Sequence, residues 1–384
     1  MEARKNISPE FVFGEGALSL VGRYATNLGA TKVLLVSDPG VMGAGWVEPV
    51  MRSLSEHGIP SCVFAEVTPN PRDTEVMRGA KCFQTEHCDV IVAVGGGSPM
   101  DCAKGIGIVT SNGRNILEFE GVDRIPIPGP PLICIPTTAG TSADVSQFDI
   151  VNDTARKVKI AIVSKAAIPD VALVDPVTTT TMPAQLTAAT GIDALVHAIE
   201  AYVSRASSPI TDLHALEAIR LIAKHLPGVL EEPLNLQHRE QMALGSLLAG
   251  LAFSNASLGM VHAMAHALGG WMDLPHGECN ALLLSHVVQF NFVSAPERYR
   301  LIGSAFGLSL DGLSNVNARD VLVESLYAFR HLAGLDRSLH DYGVSKRDLH
   351  ILSKHALSDP CMATNPIHPT LTEIEHVYEQ AIST

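Results

Sequence analysis

The chain carries no excess of positive charge: 27 Lys and Arg stand against 40 Asp and Glu, a formal net charge of −13 over 384 residues. Such a surface repels phosphate backbones and anionic lipid headgroups, so neither nucleic acid nor a membrane is an expected partner. No C-x-x-C pair occurs among the 7 cysteines, Cys62, Cys82, Cys88, Cys102, Cys134, Cys279 and Cys361. An odd set without that spacing argues against a disulfide framework or a cysteine zinc site and leaves most of them as small buried apolar residues. No apolar run approaches the ~20 residues that span a bilayer, and the opening MEARKNISPEFVF holds no signal-peptide core, so a cytoplasmic protein is expected. Internal repeats and low-complexity linkers are missing as well. Charged residues make up only 17% of the chain, against a usual ~25%, which excludes general disorder and points to much buried surface, including a subunit interface.

What is present changes character near residue 183. Before it, short β-branched runs alternate with helix-length segments: Lys32 to Ser37, Ser61 to Ala65, Asp89 to Val94, Leu132 to Ile135 and Val171 to Val174. Continuous apolar strands separated in this way predict a parallel sheet covered on both faces. Beyond Met182-Pro183 the apolar period shifts toward 3.6, predicting helices at Ala184 to Val203, Pro209 to His225, His238 to Phe253 and Leu258 to Leu268. The expected organisation is an α/β domain over 1–183 and an all-helical domain over 184–384, with a site in a cleft between them. The Pro-rich stretch Ile125 to Pro131 reads as a loop.

In the first half, AVGGGSPMD sets Gly95, Gly96, Gly97 and Ser98 directly after a strand, with Pro99 fitted to a first helical turn. Glycines let backbone N–H groups approach an anion and a helix N-terminus adds partial positive charge, which suits a dinucleotide pyrophosphate; a plain strand-to-helix turn looks the same locally. Asp38 ends the strand VLLVSD, where a carboxylate accepts the two hydroxyls of an adenosine ribose and repels a 2′-phosphate, favouring NAD over NADP. Its plainer role is an N-cap before Pro39-Gly40. The run Pro136 to Ser142, with Thr137 and Thr138, follows another strand and offers further hydroxyl and N–H groups.

In the second half, GIDALVHA places Asp193 and His197 four apart on one helix face, and MVHAMAH repeats that spacing with His262 and His266. Pro275-His276-Gly277 follows a Gly269-Gly270 break that turns the chain back, letting His276 face His262. One carboxylate, two or three imidazoles and no thiolate suit a borderline divalent ion, Fe²⁺ or Zn²⁺, and not Ca²⁺. For any single histidine a hydrogen-bonded core role competes, but several grouped among Ala, Met, Leu and Gly are costly without partners.

With GGGSPMD, PTTAGT, GIDALVHAIEAY and GMVHAMAHALGG…PHGECNA in hand, the chain resembles the iron-containing (group III) alcohol dehydrogenase family from Phe13 to Pro366. The resemblance implies a dehydroquinate-synthase-like architecture, a Rossmann-like dinucleotide-binding domain followed by a helical metal-binding domain. It implies Asp193, His197, His262 and His276 as metal ligands, with His266 beside the nicotinamide or substrate as the catalytic proton relay. Asp38, Asn70, Gly95 to Ser98, Thr137, Thr138 and Lys159 would contact NAD, and Glu200 would back a ligand. A homodimer or higher homo-oligomer is implied too. Two departures stand out: Ser142, Ala143 and Asp144 replace the usual Gly-Ser-Glu after PTTAGT, and TNPIH replaces TNPR.

The implied reaction is hydride exchange between a small primary alcohol or diol and NAD, aided by Fe²⁺ or alternatively Zn²⁺. Rivals on the same scaffold are glycerol dehydrogenation, hydroxyacid–oxoacid transhydrogenation and a non-catalytic regulatory relative. Phosphate-ester lyase chemistry of the dehydroquinate synthase type calls for a Lys/Arg cluster that the motifs lack.

Overall fold

A computed structural model describes residues 4–383. The described chain divides into two compact units, one from Ile7 to Met182 and one that begins at Pro183 and also takes in residues 4–6.

The first unit holds nine strands: β1 (Glu10–Phe13), β2 (Val33–Val36), β3 (Ser61–Phe64), β4 (Val90–Gly95), β5 (Gly121–Val122), β6 (Leu132–Pro136), β7 (Phe148–Asp153), β8 (Val158–Val163) and β9 (Val171–Val174). Its α-helices are α1 (Val21–Asn27), α2 (Pro39–Ala44), α3 (Val47–Glu56), α4 (Asp73–Thr85) and α5 (Gly97–Asn112). Six strands form a parallel sheet in the order β1-β9-β6-β4-β2-β3. β2, β4, β6 and β9 are apolar along their whole length because both faces are covered. Alternate residues serve opposite layers: Leu34, Ile91 and Cys134 pack with Met100 and Ile106 of α5, while Leu35, Val92 and Ile133 pack with Val21 of α1 and Leu54 of α3.

After β2 the chain runs outward to β3 and then returns to β4 on the other side of β2. That reversal is a topological switch point, and the loops leaving β2 and β4 flank the crevice where open α/β sheets take ligands.

Two features lie outside the sequence expectation of alternating strands and helices. Strand β1, a four-residue edge, pairs with β9, and β5, β8 and β7 form a second small sheet in which β7 and β8 run antiparallel. The β7–β8 hairpin was hidden by its polar residues Asp149, Asn152, Asp153 and Lys159, which spoil a continuous apolar run.

The second unit is helical among the described residues: α6 (Ala184–Val203), α7 (Pro209–Glu231), α8 (Leu236–Ala256), α9 (Met260–Met272), α10 (His276–Asn291), α11 (Pro296–Ala305), α12 (Asn315–Leu332), α13 (Leu349–Ser358) and α14 (Leu371–Ser383). α6 packs on both α7 and α8, and α9 on α10 and α13. Helix α9 runs straight through Gly269-Gly270, so the expected break is misplaced. The chain turns at Asp273, in the left-handed conformation with φ 55°, and at Pro275, which cannot extend the preceding helix. Among the described residues no single helix is long and apolar enough to cross a membrane; one pair, α8 and α9, passes a length and composition test together but is bent by 98°.

Candidate metal centre and cofactor cradle

In the helical unit, α6 is apolar almost throughout, so Asp193 and His197, one turn apart, are both buried. Helix α10 meets α6 through Gly277: a Cβ there would stand 2.6 Å from the Ala189 carbonyl oxygen, so only glycine lets His276, the first residue of α10, close on Asp193. Helix α9 is aimed by its own N-terminus. Met260 N–H donates to Asn365 Oδ1 at 3.0 Å and Val261 N–H to Glu200 Oε1 at 2.6 Å, satisfying two N–H groups that the helix itself cannot.

Three imidazoles reach one carboxylate oxygen. Asp193 Oδ1 lies 3.6 Å from His262 Nε2, 3.7 Å from His276 Nε2 and 3.9 Å from His197 Nε2. A tetrahedral ion with bonds of ~2.1 Å spaces its ligands at about 3.4 Å, so these separations fit a borderline divalent cation. The donor atoms of Asp193, His262 and His276 all lie within 4.8 Å of one another. The His197 ring stacks on His262 at 4.5 Å and on Phe253 at 4.3 Å.

Burial alone would raise the Asp193 carboxyl, but His197, His276 and a hydrogen bond with His262 outweigh it and hold it well below the usual carboxylate range. For His262 burial opposes the charged form, yet Asp193 and Glu200 raise it to about 9. Glu200 is the reason for its orientation: Nδ1 of His262 donates to Oε2 at 2.7 Å, which turns Nε2 toward Asp193. Two carboxylates around a buried imidazole make a place where positive charge is strongly favoured.

His266 stands apart from this set. Its Nδ1 donates to Asp359 Oδ2 at 2.8 Å, and its ring stacks on His276 at 5.3 Å. Burial would raise Asp359, but His266 and the N–H and thiol of Cys361 hold it below its ordinary value.

Two polar partners escaped the sequence reading. Asn280, fully buried, donates from Nδ2 to Asp193 Oδ1 at 2.6 Å and lies 3.2 Å and 3.3 Å from Nε2 of His262 and His276. Its signal was the i, i+4 spacing from His276. Asp359 had a weaker one, the Asp-Pro start of a short 3₁₀ turn that it caps.

In the sheet unit, Gly95 has φ 152°, and a Cβ on it would meet Pro99 at 2.6 Å. A Cβ on Gly97 would stand 2.9 Å from the Thr141 methyl, so the glycine turn and the PTTAGT loop are packed against each other. Thr137 N–H donates to Gly95 O at 2.9 Å. Ser98 falls in the first turn of α5, and Thr138 is half-buried beside Gly96. Asp38 does cap α2, its Oδ1 accepting from Val41 N–H at 2.9 Å, while standing at the end of β2 across the switch point from the glycines. The local N-cap and a place at the crevice are therefore both real for this residue.

Asn70, with φ 56°, begins the turn after β3. Asn152 donates its N–H to Pro71 O at 2.8 Å and is the register partner of Lys159, which ties that turn to the strand pair carrying Lys159. Behind the cradle, buried Lys104 donates to Phe148 O at 2.7 Å and Ser146 O at 2.9 Å. Burial raises Asp101 and Asp144 to about 6 against the pull of Lys104.

A parallel-sheet unit with a glycine cradle at its switch point, followed by a helical unit with one carboxylate and clustered imidazoles, defines a metal-dependent dehydrogenase architecture. The family profile described as iron-containing alcohol dehydrogenase matches residues 8–176, and the C-terminal profile of the Fe-containing alcohol dehydrogenase family matches residues 187–382. The chain is 43% identical over 371 residues to a 1,3-propanediol dehydrogenase of Citrobacter freundii, covering 96% of each chain. It is 37% identical to an NAD-dependent methanol dehydrogenase of Bacillus methanolicus over 98% of this chain and 99% of that one. A crystal structure of 1,3-propanediol oxidoreductase superposes with a TM-score of 0.96 at 42% identity, over 99% of this chain and 100% of that one. The chain belongs to the iron-containing alcohol dehydrogenase family.

Proposed function

We propose that this enzyme interconverts a small primary alcohol or diol and its aldehyde with NAD, using a divalent metal held by Asp193, His197, His262 and His276. The observation that supports it most is the meeting of three imidazole Nε2 atoms on one buried carboxylate oxygen, in a chain 43% identical to a propanediol dehydrogenase. Fe²⁺ is the proposed ion and Zn²⁺ its alternative, since the donor set suits both.

When bound, the ion supplies Lewis acidity toward the substrate oxygen and NAD accepts or donates the hydride. The chain's own groups do the rest. Glu200 fixes the tautomer of His262, so that Nε2 keeps its lone pair for the ion. Asp359 does the same for His266, leaving Nε2 of His266 to take or return the alcohol proton. Asp38 is assigned to the adenosine ribose, which favours NAD over NADP, and Gly95, Gly96, Gly97 and Ser98 to the pyrophosphate. Asn70, Thr137, Thr138 and Lys159 complete the cofactor contacts in this reading. The Ile7–Met182 unit is thus the NAD-binding half and the Pro183 onward unit the metal-binding half, working in the cytoplasm as a homodimer or higher homo-oligomer.

The test is NADH formation by protein reconstituted with Fe²⁺ or Zn²⁺, across short alcohols and diols, with NAD⁺ and NADP⁺. Turnover that needs the metal and prefers NAD⁺ is expected. Silence across the panel with metal and NAD still bound would overturn the dehydrogenase reading in favour of transhydrogenation or a regulatory role.

A further inference from the structure

Three of the seven cysteines, outside every motif above, meet at one edge of the parallel sheet. Cys62 lies on the edge strand β3, Cys82 in α4, and Cys88 in the turn between α4 and β4. Cys62 Sγ is 3.4 Å from Cys88 Sγ and 3.9 Å from the Val33 carbonyl oxygen. Cys62 and Cys82 are partly exposed and Cys88 is buried, so the group is open to a small oxidant from one side.

Charge at the cluster is lopsided. Lys32, paired with Glu86 at 2.8 Å, places an ammonium whose field reaches both Cys62 and Cys88. Burial, then the hydrogen bond to Cys62, pushes the Cys88 thiol up to about 12. Burial raises the Cys82 thiol as well, with the neighbouring Cys62, Glu86 and Glu66 adding to it. Of the close pair, Cys62 is the partly exposed sulfur and Cys88 the buried one, so an oxidant from solvent meets Cys62 first.

We propose that Cys62 and Cys88 form a redox pair that closes to a disulfide under hydrogen peroxide. The Cys62 sulfur attacks the peroxide, forming an S–O bond as the O–O bond breaks, and the departing oxygen leaves as water with the thiol proton. The Cys88 sulfur then attacks the sulfenic sulfur, the S–S bond forms, the S–O bond breaks, and a second water leaves with the Cys88 proton. The two thiols lose two electrons and the peroxide is reduced to two waters. Since β2 lies between β3 and β4, the bridge staples the sheet edge across it.

The experiment treats the full zinc-loaded chain with hydrogen peroxide and follows thiol titration, intact mass and non-reducing peptide mapping. Expected are the loss of two thiols per chain and a dithiothreitol-sensitive peptide joining Cys62 to Cys88. Cys62→Ser should abolish the bridge. Cys88→Ser should leave Cys62 as a sulfenic acid captured by dimedone. A bridge from Cys62 to Cys82, a bridge that survives Cys62→Ser, or thiols all still reduced under conditions that oxidise free cysteine in the same solution would each overturn the pairing.

Discussion

In the Ile7–Met182 unit the candidate cofactor groups lie at or near strand ends, with Gly97 and Ser98 already in the first turn of α5, and at Gly95, Gly96 and Gly97 the chemistry is offered by main-chain N–H groups that a Cβ would crowd. In the helical unit the candidate groups are side chains fixed on α6, α9 and α10, with Asp193, His262 and His266 backed by the buried polar side chains of Asn280, Glu200 and Asp359. The difference follows from what each ligand asks for. A pyrophosphate spreads its charge over many oxygens and is met by many weak donors, whereas a divalent ion concentrates charge and wants a few strong lone pairs at fixed distances. Main-chain groups in a tight turn suit the first, and side chains locked on helices suit the second.

The sharpest way to break the comparison is to remove the shared oxygen. Asp193→Ala should lose bound metal and lower kcat/KM by about 10³-fold or more, a loss of several kcal/mol, while NAD⁺ binding followed by fluorescence stays intact. Joint loss of both ligands would show that the two halves are not separable. Next, His266→Ala should lower kcat by about 10²- to 10⁴-fold with metal content unchanged by elemental analysis; missing metal would put His266 on the ion. Glu200→Gln should weaken metal affinity about 10- to 100-fold in chelator competition, with metal-saturated turnover near the parent.

In the sheet half, Gly97→Ala drives a Cβ to 2.9 Å from Thr141. Overpacking of roughly 1–3 kcal/mol should raise KM for NAD⁺ about tenfold and leave metal content alone. The last effect is on stability and leaves binding and turnover alone. Asp144 titrates at about 6 when folded, above its ordinary 3.8, so the folded chain binds the extra proton. The contribution of Asp144 is therefore full at low pH and is lost as pH rises from about 4 through 6, a change of about 3 kcal/mol. Asp144→Asn should flatten that fall in thermal melts; an unchanged pH profile would remove Asp144 as its cause.

Legibility differed between the halves as well. The parallel strands β2, β4, β6 and β9 were plain because burial on both faces demands unbroken apolar runs, and α6 because its apolar period continues for twenty residues. The β7–β8 hairpin and the edge strand β1 were not: β1 is partly exposed, and β7 carries the buried polar residues Asp149 and Asp153, which blur the pattern. At the site, the i, i+4 pairs identified the helix faces. They did not show that His262 and His266 part company, one toward Asp193 and Glu200 and the other toward Asp359.

The sequence alone determined the two-part organisation, the glycine turn after β4 and the carboxylate and imidazoles spaced to share helix faces, because these depend on local period and backbone sterics. Only the tertiary structure decided which histidines meet one oxygen, that Asp38 caps a helix at the crevice, and that Asn280, Asp359 and three scattered thiols have partners. Those pairings join residues tens to hundreds of positions apart, and nothing in a local pattern fixes the distance between elements until their cores have packed.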